Sequence, residues 1–238
     1  NKVSHDELLS YKYDHIFYTG GYKVGKHIME KASKNLSKIT LELGGKSPAI
    51  VDREANISLA ARSIAWGNTI NAGQTCVSPD YILVHSAVKE KFVNELKRAL
   101  FEFYGPNFLT NHDYPKIINK DHLNNLTNLL DGQDIIYGGR FDRDLCKLEP
   151  TIVDNIDFNN KLMDEEIFGP IFPIITYNNI NDILYKIKTL PKPLALYLFT
   201  ENQRLLDKVM YNVEFGNGMV NGTLMMVSNH YLEFGGVG

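Results

Sequence analysis

Residues 15–51, HIFYTGGYKVGKHIMEKASKNLSKITLELGGKSPAIV, contain the pattern that decides the fold. Short apolar runs at 15–19, 39–43 and 49–51 flank one amphipathic stretch at 24–32. Apolar runs of this length that end at glycine predict buried strands, and apolar residues spaced three or four apart predict a helix. The order strand, helix, strand, strand is typical of α/β folds.

The same alternation of helices and strands continues along the chain. Further helices are predicted at 56–70, 88–103, 116–130, 180–189 and 201–212, and further strands at 81–84, 135–137, 150–153, 171–177 and 194–199. In the first helix we expect Val24, Ile28 and Met29 to face the core. The second helix is expected to be buried on more than one side, through Leu59, Ile64 and Ile70 together with Ala60, Ala61 and Trp66. The predicted fold class is therefore α/β.

The composition of the 238 residues is that of a globular protein, with 44% hydrophobic and 22% charged residues. The formal net charge of −3, from 25 basic and 28 acidic residues, gives no long-range attraction for nucleic acid or for an anionic membrane. No apolar run approaches the roughly 18 residues of a membrane-spanning helix. Because Cys76 and Cys146 are too few for a disulfide framework, we expect a reducing, cytoplasmic location.

The two ends of the sequence predict a partial chain. The first residue is Asn1 rather than Met, and the last residues, Phe234–Gly238, form a turn-rich run. A membrane attachment through a segment after Gly238 stays open.

A glycine-rich turn, Gly20 to Gly25, joins the first predicted strand to the first predicted helix. Backbone N–H groups at such a junction can bind an anionic pyrophosphate. The spacing matches neither the phosphate-binding G-x-x-x-x-G-K-[ST] pattern nor the dinucleotide-binding G-x-G-x-x-G pattern. The alternative is a tight turn followed by a glycine that lets the helix pack closely.

Cys76 follows Gly73 and precedes Pro79, so we expect it in an irregular segment that can expose a thiol. A thiol that acts as a nucleophile near neutral pH needs a nearby cation, a helix N-terminus or a general base. The alternative is a small structural core residue. We favour that alternative for Cys146, which lies in a charged stretch.

Glu42 interrupts an apolar strand just before Gly44 and Gly45. A carboxylate buried there costs free energy unless it is paired or functional, and burial raises the pKa of a carboxyl group toward values that suit a base. Two alternatives remain. The carboxylate could reach solvent at the end of the strand, or it could bind a ribose, since it lies about 20 residues after the glycine-rich turn.

The segment Asp164–Pro170 contains Glu166 and Phe168 at a corner before a predicted strand. Taken alone it predicts a capped turn, in which an acidic residue could bind ribose hydroxyls and an aromatic ring could stack on a base. The histidines are scattered without metal-ligand spacing, so we predict no metal site.

Together these segments resemble the signature series of the aldehyde dehydrogenase superfamily. The matching motifs are Phe17–Gly25, Leu41–Pro48, Gly73–Cys76, Glu165–Pro170 and Phe234–Gly238. The details most resemble the class 3 branch, which includes fatty aldehyde dehydrogenases. These details are Tyr104-Gly105, Pro193–Tyr197 and Asn221-Gly222.

The resemblance implies a reaction and its catalytic residues. Cys76 would attack an aliphatic or aromatic aldehyde, a hydride would pass to NAD (or NADP), and Glu42 would activate the water that hydrolyses the resulting thioester. This role for Glu42 replaces the ribose alternative. The side-chain amide that completes the family's oxyanion site would come from before Asn1, so we expect the isolated chain to have little or no activity.

The resemblance also implies cofactor contacts and domains. The implied contacts are Glu166 with the nicotinamide ribose, Phe168 near the ring, and Gly20, Gly21, Tyr22, Lys23, Val24 and Gly25 along the pyrophosphate. Residues 1–43 would end a Rossmann-like cofactor domain, and 44–238 would be a catalytic domain, truncated at its C-terminal end, with a mainly parallel sheet. The full-length enzyme would be a homodimer without a nucleic-acid partner.

The sequence departs from the family pattern at two positions, and two rival functions stay open. Gly21 stands where the family usually has Ser, and Glu233 stands where it usually has Pro. One rival is a cysteine hydrolase or acyl transferase that uses Cys76 without nicotinamide. The other is a binding protein that keeps the fold without activity.

Overall fold

The computed structural model describes residues 5–237, so Gly238 of the last motif lies outside the described residues. The described part of the chain forms two compact units that divide between Gly44 and Gly45. The first unit contains α1 (His5–Leu8), β1 (His15–Gly20), α2 (Tyr22–Ser33) and β2 (Lys38–Leu43). β1 and β2 pair in parallel, with Thr19 opposite Glu42. Their carboxyl ends therefore lie at the same edge.

The helix α2 packs through a narrow face. Gly25, Ile28 and Ala32 are buried, at spacings of three and four. A side-chain carbon at Gly25 would lie 2.9 Å from Leu43 Cδ2, so the glycine permits this close packing. The prediction that Met29 faces inward is wrong. Its side chain is 49% exposed, because it points about 100° around the helix from Ile28.

The strand β1 is correctly predicted in position but not in burial. Its residues alternate between exposed and half-buried, rather than being buried throughout. This alternation follows from the period of two in a strand with one covered face.

The second unit contains the remaining strands and helices. Its strands are β3 (Pro48–Val51), β4 (Tyr81–His85), β5 (Asp134–Tyr137), β6 (Phe141–Asp142), β7 (Lys147–Leu148), β8 (Thr151–Asp154), β9 (Ile171–Tyr177), β10 (Ala195–Phe199) and β11 (Asn217–Val220). Its α-helices are α3 (Ile57–Thr69), α4 (Lys89–Tyr104), α5 (Lys120–Leu130), α6 (Ile180–Thr189) and α7 (Gln203–Asn212). Short 3-10 helices lie at Ile70–Gly73, Ser86–Val88, Lys161–Met163 and Met225–Ser228.

Within the described residues, the second unit is built on a seven-stranded sheet of order β11-β10-β3-β4-β9-β8-β5. Neighbouring strands are parallel except β5, which pairs antiparallel with β8. The predicted mainly parallel α/β sheet is therefore confirmed. The sequence did not predict β11, a short strand that contains Gly218.

The helix α3 is buried through small residues. Asn56 caps its start by accepting a hydrogen bond from Leu59 N at 3.1 Å. Ala60 and Ala61 are fully buried and let the helix lie close to its neighbours. Leu59 and Ile70 were expected in the core, but they are 41% and 40% exposed. Leu59 lies on the outer face, and the chain leaves the helical conformation at Ile70.

The helix α5 begins four residues later than predicted, at Lys120 rather than 116. The Asn119 side chain caps it by accepting from His122 N at 2.8 Å. The preceding backbone makes other bonds, since Ile117 N donates to Cys146 O at 2.8 Å.

Parallel pairing gathers several loops at one edge of the sheet. The segments just before β3, β4, β9 and β10 lie together at this edge, which we call the amino edge. These segments are 45–47, 74–80 (the Cys76 loop), 164–170 (the Glu166 turn) and 193–194. The residues just after the strands lie at the opposite, carboxyl edge.

Candidate active site

Cys76 is half-buried on an irregular loop, as expected. A reversal of the chain precedes it, in which Asn71 and Ala72 each have φ of 52° and Gly73 has φ of 72°. A side-chain carbon at Gly73 would lie 2.4 Å from Gly169 O. Glycine is therefore required at this position, and the Cys76 loop passes directly against the Glu166 turn.

The start of the Cys76 loop is fixed by the Gln74 side chain. Its amide nitrogen donates to Asn71 O and to Lys116 O, both at 2.9 Å. Its amide oxygen accepts from Ile118 N at 2.8 Å. The amide thus ties the loop to the segment before α5.

The end of the Cys76 loop is fixed by two further hydrogen bonds to α3. Ser78 Oγ donates to Gly67 O at 2.8 Å. Asn68 Nδ2 donates to Pro79 O at 2.7 Å. The loop is therefore held on both sides of Cys76.

A buried ion pair joins the Cys76 loop to the Glu166 turn. Lys46 Nζ contacts Asp80 Oδ2, and both side chains are buried. Lys46 Nζ also donates to Leu162 O at 2.6 Å, and Asp80 Oδ1 accepts from Ile167 N at 2.9 Å. Burial raises the pKa of Asp80, and the Lys46 charge opposes this effect.

Glu166 is half-buried at the same edge. Burial raises the pKa of its carboxyl group to about 7, and the nearby Asp80 charge acts in the same direction. A hydrogen bond from the backbone of Gly45 acts in the opposite direction, since it stabilises the carboxylate. The Glu166 carboxylate thus has few stabilising contacts within the protein.

Phe168 is half-buried in the left-handed conformation, with φ of 52°. Its carbonyl lies 2.8 Å from His122 Nε2, and the two rings are 6.2 Å apart. His122 was not identified from the sequence, because no local pattern relates it to Phe168.

The remaining predicted site residues belong to the first unit. Gly21 is the N-cap of α2, and Gly25 N donates to its carbonyl at 3.0 Å. In the same turn, Tyr22 and Lys23 are exposed, and Gly20 and Val24 are half-buried. Glu42 is half-buried on β2, at the carboxyl end of the two-stranded sheet β1-β2, and the glycine-rich turn lies at the same end of that sheet.

No side chain caps the start of α2 within the described residues, since Gly21 has none. Its first backbone N–H groups can therefore receive an anion, as a pyrophosphate site requires. Across residues 5–237, no cluster of three or more His, Cys, Asp or Glu side chains is arranged to hold a metal ion.

The model of the aldehyde dehydrogenase family matches residues 4–238. The chain belongs to this family. It is 46% identical over 233 residues to the 4,4'-diaponeurosporen-aldehyde dehydrogenase of Staphylococcus aureus. The aligned region covers 97% of this chain and 51% of that relative. It is 44% identical to aldehyde dehydrogenase family 3 member A2 of Mus musculus, with 98% of this chain and 48% of the relative covered.

Solved structures of the family agree with this assignment. The substrate-bound state of Staphylococcus aureus AldH matches with a TM-score of 0.94 and 45% identity, over 97% of this chain and 51% of that chain. Lactaldehyde dehydrogenase from Escherichia coli matches with a TM-score of 0.81 and 27% identity, over 88% of this chain and 46% of that chain. The chain thus spans about half the length of the curated relatives it matches. In the described residues, no helix has the length and apolar character needed to cross a membrane.

Proposed function

We propose that this chain is the nucleophile-bearing part of an NAD(P)-dependent enzyme that oxidises an aliphatic or aromatic aldehyde to its carboxylic acid. The observation that supports this most is the union of two motifs at the amino edge. Asp80 of the Cys76 loop accepts a hydrogen bond from Ile167 of the Glu166 turn, and Gly73 packs against Gly169. A thiol and the proposed cofactor-binding turn therefore belong to one framework.

In this proposal Cys76 is the nucleophile. Its sulfur forms a bond to the aldehyde carbon, and the thiol proton passes to the aldehyde oxygen. The thiohemiacetal then loses a hydride from that carbon and the proton of its hydroxyl group, which leaves a thioester. NAD(P), when bound, supplies the hydride acceptor. Glu42 takes a proton from water, whose oxygen attacks the thioester, releases the carboxylic acid and restores the thiol.

The remaining polar residues would bind the cofactor. Glu166 would accept hydrogen bonds from the nicotinamide ribose, because its carboxylate has few partners within the protein. Phe168 would pack near the nicotinamide ring. The turn from Gly20 to Gly25 would bind the pyrophosphate through the uncapped start of α2.

The domain organisation and the oligomeric state are also part of this proposal. Residues 1–43 would end the cofactor-binding domain, and 44–238 would belong to the catalytic domain. A relative from Canis lupus familiaris, 43% identical, is named a dimeric, NADP-preferring aldehyde dehydrogenase, which supports a homodimer and leaves both cofactors open. The low activity expected of the isolated chain and its cytoplasmic location stay predictions.

The proposed function is tested by comparing the two cysteines in the intact protein. Cys76→Ser should lower aldehyde-dependent NADH formation by about 10³-fold or more, because a hydroxyl is a far weaker nucleophile than a thiolate. Cys146→Ser should keep the activity within about twofold of the wild type, since the proposed reaction does not use it. The activity of both variants is measured by the absorbance of the NADH that they form.

Two results would contradict the proposal. Equal activity in Cys76→Ser and the wild type would show that Cys76 is not the nucleophile. Aldehyde-independent acyl transfer by the wild type without NADH formation would favour the cysteine hydrolase or transferase instead.

A further inference from the structure

Tyr197 lies in the middle of β10, and its side chain is fully buried. Its hydroxyl donates a hydrogen bond to Val77 O, in the residue directly after Cys76. Other anchors of the Cys76 loop act at Gln74, Ser78, Pro79 and Asp80. The bond from Tyr197 acts on the residue next to the thiol in sequence.

The same hydroxyl also contacts the segment after β11. It accepts a hydrogen bond from the backbone of Leu224, which has a left-handed φ of 61°. It lies 3.8 Å from Met226 Sδ. One buried hydroxyl thus connects β10, the Cys76 loop and residues 224–226.

The environment of Tyr197 keeps its hydroxyl protonated. Burial raises the pKa of the Tyr197 phenol well above its usual range, and negative charge on Cys76 raises it further. The hydroxyl therefore stays a hydrogen-bond donor when the thiol ionises.

We propose that Tyr197 is a positioning residue for Cys76, which acts by holding the Val77 carbonyl and coupling the Cys76 loop to residues 224–226. The effect on turnover rests on the proposed function, whereas the effect on the thiol does not. Loss of the hydroxyl leaves the Val77 carbonyl and the Leu224 N–H without their buried partner. The loop should then open more often, so the thiol becomes more accessible and less well aimed.

The test compares Tyr197→Phe with Tyr177→Phe in the intact protein. Tyr177 is the control, because its buried hydroxyl also donates to a backbone carbonyl, Val51 O at 3.4 Å, but at the opposite edge of the sheet. Alkylation of Cys76 by N-ethylmaleimide, measured by mass spectrometry relative to Cys146, should rise by about fivefold or more in Tyr197→Phe, since local opening controls access to half-buried groups. The ratio should stay unchanged in Tyr177→Phe.

A second measurement follows turnover. Aldehyde oxidation by Tyr197→Phe should show a kcat lower by about 10- to 100-fold, because small displacements of a reacting group have effects of this size. The KM for NAD should change little. Replacement of Tyr197 by 4-aminophenylalanine, which keeps a donor at the same place, should restore most of the kcat.

An unchanged alkylation ratio in Tyr197→Phe would overturn the proposal. Should the wild type oxidise no aldehyde, the proposed function fails while the alkylation ratio still tests the positioning role. Hydrogen exchange of the unmodified protein covers the case in which Tyr197→Phe does not fold. The Leu224 amide should then be protected although it lies in a loop, and rapid exchange of this amide would also overturn the proposal.

Discussion

The two edges of the parallel sheet in the second unit differ in how well their buried polar groups are hydrogen-bonded. At the carboxyl edge, Thr200 Oγ1 donates to Asp52 Oδ2 at 3.0 Å, and Asn221 exchanges hydrogen bonds with the Thr200 backbone at 3.0 and 3.1 Å. At the amino edge, Asn68 Oδ1 and the Tyr81 hydroxyl are buried without a hydrogen-bond partner among residues 5–237.

The amino edge also contains the buried Lys46–Asp80 pair. Left-handed non-glycine residues occur at both edges, at Asn71 and Ala72 before Cys76 and at Asn221 after β11, so they do not distinguish the edges. Buried charges cost free energy unless they are well paired. The carboxyl edge thus shows how this protein stabilises a sheet. The amino edge, where we propose the reaction takes place, contains polar groups and charges whose burial lowers stability.

The largest expected effect is a difference in stability between two aspartate variants, one at each edge of the sheet. Asp80→Asn leaves the Lys46 charge buried without its partner, so it should lower the free energy of unfolding by about 3 to 5 kcal/mol. Asp52→Asn keeps an acceptor for Thr200 and should cost only about 1 kcal/mol. Urea unfolding measures both. Equal losses would mean that the buried pair has no special cost, and the contrast between the edges would fail.

A second effect isolates the close approach of the Cys76 loop to the Glu166 turn. Gly73 and Gly132 both have positive φ, 72° and 73°, but only Gly73 has backbone atoms where a side-chain carbon would lie. Gly73→Ala should therefore destabilise the protein by about 1 to 3 kcal/mol more than Gly132→Ala.

Thermal or urea unfolding of the two glycine variants provides the measurement. Because a positive φ of nearly the same size is common to both positions, their difference reports the contact with Gly169. Equal destabilisation would show that the two segments can separate without cost.

The smallest effect concerns Glu166, whose pKa is raised from 4.5 to about 7 by burial. Between these values the folded chain holds a proton that the unfolded chain releases, so this contribution to stability falls as the pH rises from about 4.5 to 7. Glu166→Gln should therefore gain stability relative to the wild type between about pH 5 and pH 8, by about 2 kcal/mol.

Urea unfolding at both pH values measures this gain, with Glu201→Gln as a control at an exposed position. The control should show no comparable gain, because its side chain is exposed to solvent. A gain in stability of the same size in Glu166→Gln and Glu201→Gln would show that burial of Glu166 does not cause the effect.

The sequence predicted the α/β class and the mainly parallel sheet, because apolar runs and helical spacing are local patterns. It also led to the aldehyde dehydrogenase family, which the family match confirms. In α3 it correctly predicted that Ala60, Ala61 and Ile64 are buried, but it also placed Leu59 and Ile70 in the core, and these are 41% and 40% exposed. The apolar pattern therefore located the buried face of this helix but not its limits.

The contacts that organise the amino edge had no signal in the sequence. Lys46 with Asp80, His122 with Phe168, and Tyr197 with Val77 join segments that are distant along the chain. Such pairs depend on the strand order of the sheet, which local patterns do not specify. The roles assigned to Cys76 and Glu42 remain proposals.

The most direct test of those two roles is rapid mixing of Glu42→Gln in the intact protein with an aldehyde and NAD⁺. We expect a burst of about one NADH per Cys76, a thioester detectable by mass on the Cys76 peptide, and a steady-state rate lower by about 10² to 10⁴-fold, since hydrolysis has lost its base. A steady-state rate equal to that of the wild type would contradict the account.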